Sequence, residues 1–193
     1  MTSAAIAQRV LPRSRVNSVL LVVGAALVTA LAAQWEIRLP FTPVPITGQT
    51  FAVLLTGAAL GMRLGAAGQA LYVVAGAVGL PVYSGGEGGW EAARAGGTTG
   101  YLIGFIVAAG VVGYMAERRQ DRTFPTMFTA FILGSFVIYL FGVIGLMITF
   151  GMTFTEAVVA GVVPFVLGDV IKAAAAGLLL PGAWKLVGEY PRP

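Results

Sequence analysis

The 193-residue chain contains no cysteine and no histidine. Those two absences remove disulfides, thiol nucleophiles, histidine-based catalytic triads and the usual zinc ligand sets together. Charge is scarce as well: Asp, Glu, Lys and Arg make up 10% of the residues, against about 25% in a soluble domain. No G-x-x-x-x-G-K-[ST] pattern occurs, so this chain has no P-loop of its own and any ATP use must belong to partners. An intramembrane aspartyl protease needs two carboxylates at membrane depth, and only Asp169 lies well inside an apolar run. The chain reads as a non-enzyme with no cofactor and no metal.

What is abundant is apolar surface, with 58% hydrophobic residues, 27 glycines and a mean hydropathy of +0.88. That composition describes an all-α integral membrane protein of one domain. A crossing helix needs about 20 apolar residues, so the length leaves room for six. We place them at 16–35, 49–62, 64–80, 98–116, 126–150 and 163–184, with connections 36–48, 81–97 and 151–162 on one side. That side carries Arg38 and Arg94, whereas Arg9, Arg13, Arg15, Arg63, Arg118, Arg119, Arg122, Lys185 and Arg192 fall on the other. Nine basic residues against two puts both termini in the cytoplasm by the positive-inside rule.

The first segment imitates a signal peptide, with a basic start and a small-residue pattern at Ala30, Leu31 and Ala32, but a multi-span protein is expected to retain it as a helix. Its alanines 26 and 30 form a small-residue ridge that lets another helix approach, either within the chain or in another subunit. Prolines 40, 43 and 45 forbid a regular helix over Leu39–Thr50, so this stretch is expected to fold back over the protein. Pro81–Gly97 is glycine-rich and reads as a flexible lid or substrate loop. Thr153 and Glu156 have capping-box spacing, which predicts a short helix near 156–161.

Asp169 and Lys172 interrupt the last apolar run. A charge at the centre of a membrane helix costs roughly 2.5–3.5 kcal/mol on insertion scales, and the i, i+3 spacing puts both on one face. They form either a structural ion pair or an acceptor and a cation presented to a polar ligand. Pro164 suits the first turn of their helix. Gln49 either caps a helix end or meets a ligand, and Thr98 is a helix N-cap that can serve as both. Tyr83, Trp90 and Tyr101 wall an apolar site or anchor the interface, and Arg94 is a carboxylate partner or a solvated charge. A self-contained proton-coupled transporter working through Asp169 and Lys172 is the alternative reading, and a purely structural membrane subunit is a third.

Four stretches, TPVPITGQTFAVLLTGAALG, LYVVAGAVGLPVYSGG, GTTGYLIGF and PFVLGDVIK, occur in that order. Together they resemble the BioY family, the biotin-binding S components of energy-coupling factor (ECF) transporters, over Leu39 to about Lys185. The resemblance implies a six-helix S-component fold and a pocket opening outward under folded loops. It implies biotin as the ligand, released inward with a transmembrane coupling protein and two cytoplasmic ATPases. It implies a cell-membrane protein surrounded by lipid, with no nucleic-acid partner. Asp169, Lys172, Gln49, Tyr83, Thr98 and Tyr101 then form the site, while Ala26 and Ala30 contact the coupling protein. Asp169 suits a ureido N–H of biotin, and Lys172 suits its carboxylate or ureido oxygen.

Overall fold

The computed structural model describes residues 5–12 and 14–187, so Arg13 and Arg192 of the charge count lie outside the described residues. A short helix α1 (Ile6–Val10) leads to α2 (Arg15–Ala33), whose start is capped by Ser14 accepting from the Asn17 amide at 3.0 Å. The proline-rich stretch that follows is not helical. It closes on itself through a two-residue antiparallel ladder, β1 (Glu36–Ile37) with β2 (Ile46–Thr47), in register Glu36 to Thr47. This ladder is the small exception to an otherwise helical chain.

Helices α3 (Gln49–Leu60) and α4 (Met62–Ala77) meet at Gly61, where φ is +83° and a side chain would be strained. The Glu117 carboxylate accepts from the Met62 amide at 3.0 Å and so satisfies one of the unpaired N–H groups at the start of α4. The glycine-rich connection holds a single 3-10 turn at Ser84–Gly86 and the helix α5 (Trp90–Ala95), so the expected flexible loop contains regular structure. Helices α6 (Thr99–Glu117) and α7 (Phe124–Phe150) form the most extensive pairing. They approach closely at Gly100, where a Cβ would overlap the Phe141 carbonyl oxygen. A capping box of Thr153 and Glu156 opens α8 (Phe154–Gly161), and α9 (Val163–Leu186) follows with Pro164 in its first turn.

Among the described residues, four helices, α2, α6, α7 and α9, are long and apolar enough to cross a membrane. With 12 and 16 residues, α3 and α4 fall short of the 20 or so that a full crossing takes. The outward faces carry bulky apolar side chains, among them Val19, Leu20 and Leu27 on α2 and Leu133, Phe136 and Leu140 on α7. Inside, Gln69 of α4 is fully buried and donates to Thr29 of α2 and Thr56 of α3, both at 3.1 Å, which ties three helices through one amide. Where α9 ends beside the start of α7, Trp184 donates its indole N–H to buried Asp121 at 2.6 Å, and Arg122 pairs with that carboxylate at 3.0 Å while lying over the indole ring. Burial pushes the Asp121 carboxyl up from its ordinary value despite both partners.

Candidate functional site

Pro164 starts α9 without the loss of a hydrogen bond, because a first-turn N–H has no intrahelical acceptor. Five residues on, roughly 8 Å deeper at about 1.5 Å per residue, Asp169 points into the bundle and is 3% exposed. Lys172 sits one turn further on the same face, 3.0 Å from it. Asp169 accepts three hydrogen bonds, from Lys172 and from the Thr50 hydroxyl at 3.2 Å on one oxygen and from the Tyr139 hydroxyl at 2.7 Å on the other. The three protons of Lys172 find three acceptors: Asp169, the Thr50 hydroxyl oxygen at 2.7 Å and the Thr47 carbonyl at 3.1 Å. The charged pair is therefore internally satisfied, as low-dielectric surroundings require.

The network continues through the start of α3. Thr47 donates its hydroxyl to the Gln49 side-chain oxygen at 2.8 Å, and the Gln49 amide donates to the Tyr72 hydroxyl at 2.6 Å. One hydrogen-bonded chain thus joins Tyr72 on α4, Gln49 and Thr50 on α3, Thr47 on β2, Asp169 and Lys172 on α9, and Tyr139 on α7. Above it lies a partly open cavity. Gln49, Tyr83, Thr98, Tyr101 and Lys172 line it, with Asp169 directly behind Lys172. Sequence reasoning missed Thr50 and Tyr139, which border the same cavity and bond to Asp169. Phe105 and Phe165 supply apolar wall.

Several expected residues are placed differently from their reading in the sequence. Thr98 occupies the N-cap position of α6, but its hydroxyl donates to the Ala93 carbonyl at 3.2 Å and does not cap. The Tyr101 hydroxyl is engaged by the Gly161 carbonyl at 2.7 Å, so only its ring is left to face the cavity. Trp90 and Arg94 lie outside it, Trp90 as the exposed first residue of α5 and Arg94 beside Glu91 at 3.8 Å. Ala26 is buried in the core, with Ala30 packed against that core, and the neighbouring Ala25 abuts Gly68 of α4. Ala25 and Ala26 therefore have neighbours within the chain, while Ala30 is only partly buried.

The proline-rich and glycine-rich loops cover the cavity and are tied to what lies beneath. Thr42 donates to the Ala160 carbonyl of α8 at 2.7 Å, and Lys172 holds Thr47. Between the loops, Ser84 donates to Glu36, and Arg38 bridges Glu36 at 2.8 Å and Glu87 at 3.0 Å. Burial pushes the Glu36 carboxyl up, but the Ser84 hydrogen bond and Arg38 outweigh it and leave its pKa below the ordinary value. A second cavity of about 700 Å³ opens beside these residues, lined by Arg38, Thr42, Glu87, Ala93 and Gly96 among others.

The sequence profile of the BioY family matches residues 4–189. A biotin transporter BioY of Rhizobium etli is 42% identical over 180 residues, covering 90% of this chain and 94% of that protein. One from Thermotoga maritima is 37% identical over 171 residues, 89% of this chain and 93% of the relative. Among solved structures, the S-component for biotin from an ECF-type ABC transporter superposes with a TM-score of 0.75 over 90% of this chain and 95% of that one. At 23% identity this last likeness is one of fold.

Proposed function

The chain belongs to the BioY family, and from that premise we propose that it captures biotin at the outer side of the cell membrane and passes it inward as the S component of an ECF-type transporter. The observation that carries the site is the saturated polar network under the cavity, in a bundle that otherwise buries apolar side chains. Biotin has one end, the ureido ring, rich in donors and acceptors but uncharged, and another end that is a carboxylate. Lys172 already has its counter-charge, and a second carboxylate beside Asp169 would be desolvated against like charge. The ureido ring therefore goes to the polar floor, exchanging hydrogen bonds with Gln49, Thr50 and Tyr139. The bicycle packs on Tyr101, Phe105 and Phe165, and the carboxyl tail points toward the Ser84 and Thr98 side, where Arg38 beyond them is the cation that offsets its charge.

The topology we propose has six crossings with α3 and α4 as a short pair, both termini inside, and the loops over the cavity outside. Of the nine basic residues on the inner side, Arg9, Arg15, Arg63, Arg118, Arg119, Arg122 and Lys185 fall within the described residues. Energy comes from partners, a transmembrane coupling protein and two ATPases. The test is thermal unfolding of the purified chain with vitamins added. A native-state ligand at one hundred times its Kd stabilises by about 2.7 kcal/mol, so biotin should raise Tm where thiamine and riboflavin do not. Equal responses to all three would defeat the substrate assignment.

A further inference from the structure

Two cavities lie under the loops, and the pose proposed above seats free biotin in only one of them. We propose that the outer cavity is a subsite for groups attached to the biotin carboxyl, so that the protein also binds amides of biotin with amino acids, biotinyl-lysine foremost. This rests on the reading of the inner cavity given above.

Pro45, Tyr83, Ser84 and Thr98 line both cavities, so a single layer of side chains separates them. Tyr83 is fixed, its hydroxyl donating to the Val73 carbonyl at 2.7 Å and its ring filling the space over Gly76. The rest of the wall includes the small side chains of Ser84 and Thr98, beside which the carboxylate of bound biotin ends. An amide formed at that carboxylate leads directly into the outer cavity, which at about 700 Å³ is the larger of the two.

The chemistry there selects a class. Its lining carries one guanidinium and one carboxylate, Arg38 and Glu87, drawn from the two opposite loops and 3.0 Å apart. A ligand bearing both an ammonium and a carboxylate can exchange with the Arg38–Glu87 bond, its ammonium on Glu87 and its carboxylate on the Arg38 nitrogen that Glu87 gives up, while Arg38 keeps Glu36 through Nε. An alkylamide of the same length finds only apolar contact with Leu39, Pro43 and Ala93. Biotinyl-lysine supplies both parts, a methylene chain and then a zwitterionic head.

The experiment measures equilibrium affinities of the purified intact chain for biotin, Nε-biotinyl-lysine and biotin butylamide. Biotinyl-lysine is expected within about tenfold of biotin, and the butylamide weaker than biotinyl-lysine by a fewfold, since half-exposed ion pairs are each worth up to about fivefold. Gly96→Leu fills the outer cavity, and its Cβ meets only the Ala92 carbonyl oxygen at 3.4 Å and Thr98 at 3.9 Å. It should raise the ratio of biotinyl-lysine Kd to biotin Kd by about tenfold or more. The pair Arg38→Gln with Glu87→Gln should erase the advantage of biotinyl-lysine over the butylamide, and it decides the matter if Gly96→Leu fails to fold. Biotin bound normally with biotinyl-lysine more than about a hundredfold weaker overturns the outer subsite and leaves the inner one standing. Ratios unmoved in both variants do the same. No binding of biotin at all removes the inner site and this inference with it.

Discussion

Replacing Asp169 by Asn tests whether the two charges under the cavity depend on one another. Asn keeps the shape and an acceptor oxygen, but its amide nitrogen cannot accept from Tyr139, and Lys172 loses its counter-charge. Removing one partner of a buried pair costs about 3–5 kcal/mol. The structure argues for the low end. Lys172 keeps two neutral acceptors, the Thr47 carbonyl and the Thr50 hydroxyl, and its side chain is 21% exposed to the cavity. At about 2–4 °C per kcal/mol for a chain of this size, 3 kcal/mol corresponds to a fall in Tm of about 6–12 °C. Replacing Lys172 by Met as well removes the stranded charge, so the double variant should be more stable than Asp169→Asn alone. Thermal unfolding of the four proteins in one detergent gives the cycle, and calorimetry should find biotin affinity lost by more than about tenfold whenever Asp169 is changed. Additive shifts, with a coupling under about 0.5 kcal/mol, would refute the claim that the pair is held together by charge.

Ala26→Trp forces an indole into the buried core, so Tm should fall and biotin binding should fail with it; wild-type Tm and affinity with lost co-purification of the coupling protein would show that the residue faces a partner. Gly100→Ala must push α7 off α6 and should cost about 1–3 kcal/mol of stability in a thermal assay, whereas Gly110→Ala on the same helix, whose Cβ meets only Ala66 at 3.7 Å, should be neutral or slightly stabilising. Trp184→Phe deletes a donor to the fully buried Asp121 carboxylate and should lower stability by about 1–3 kcal/mol, while a change under about 0.5 kcal/mol would mean that Arg122 alone satisfies it. Glu36 and Glu156 have lowered pKa values in the fold, Glu156 through hydrogen bonds from Thr153, so their contribution is present above the ordinary Glu value of about 4.3 and is lost as pH falls through the lowered folded values. Loop-localised protection factors, with the intrinsic pH dependence of amide exchange divided out, should fall only below the ordinary Glu value of about 4.3, and a fall near pH 6 would contradict that assignment.

The fold class was legible because composition and long uncharged segments leave a membrane bundle as the only way to bury so much apolar surface. Asp169 and Lys172 were legible because charges inside such a segment stand out, and the Thr153–Glu156 box because capping is a local pattern. Tyr139 was not. It lies within a 27-residue helix that is apolar on every face, so nothing in the sequence marks which of its aromatic residues turns toward Asp169. Thr50 was hidden for a related reason, since a hydroxyl beside a proline-rich loop reads as a turn residue until α9 is packed against it. The alanines of α2 show the reverse problem. Small residues mark a close helix contact equally well whether the partner is inside or outside the chain, and only the packing against α4 decides. The two-residue strands are too short for alternation to register.

The meeting of α3 and α4 at Gly61 has a consequence for the lipid around the protein. At about 1.5 Å per residue their 12 and 16 residues span roughly 18 and 24 Å, against about 30 Å of hydrocarbon. In the six-crossing arrangement proposed above, acyl chains bordering α4, which exposes Leu71 and Val74, must shorten or tilt to meet the polar ends of that helix, at a cost of fractions of a kcal/mol per ångström of mismatch. In that arrangement the bilayer thins beside α4. Lipid chain length becomes a variable that acts on the protein through this one side, with shorter chains relieving the mismatch and longer ones adding to it.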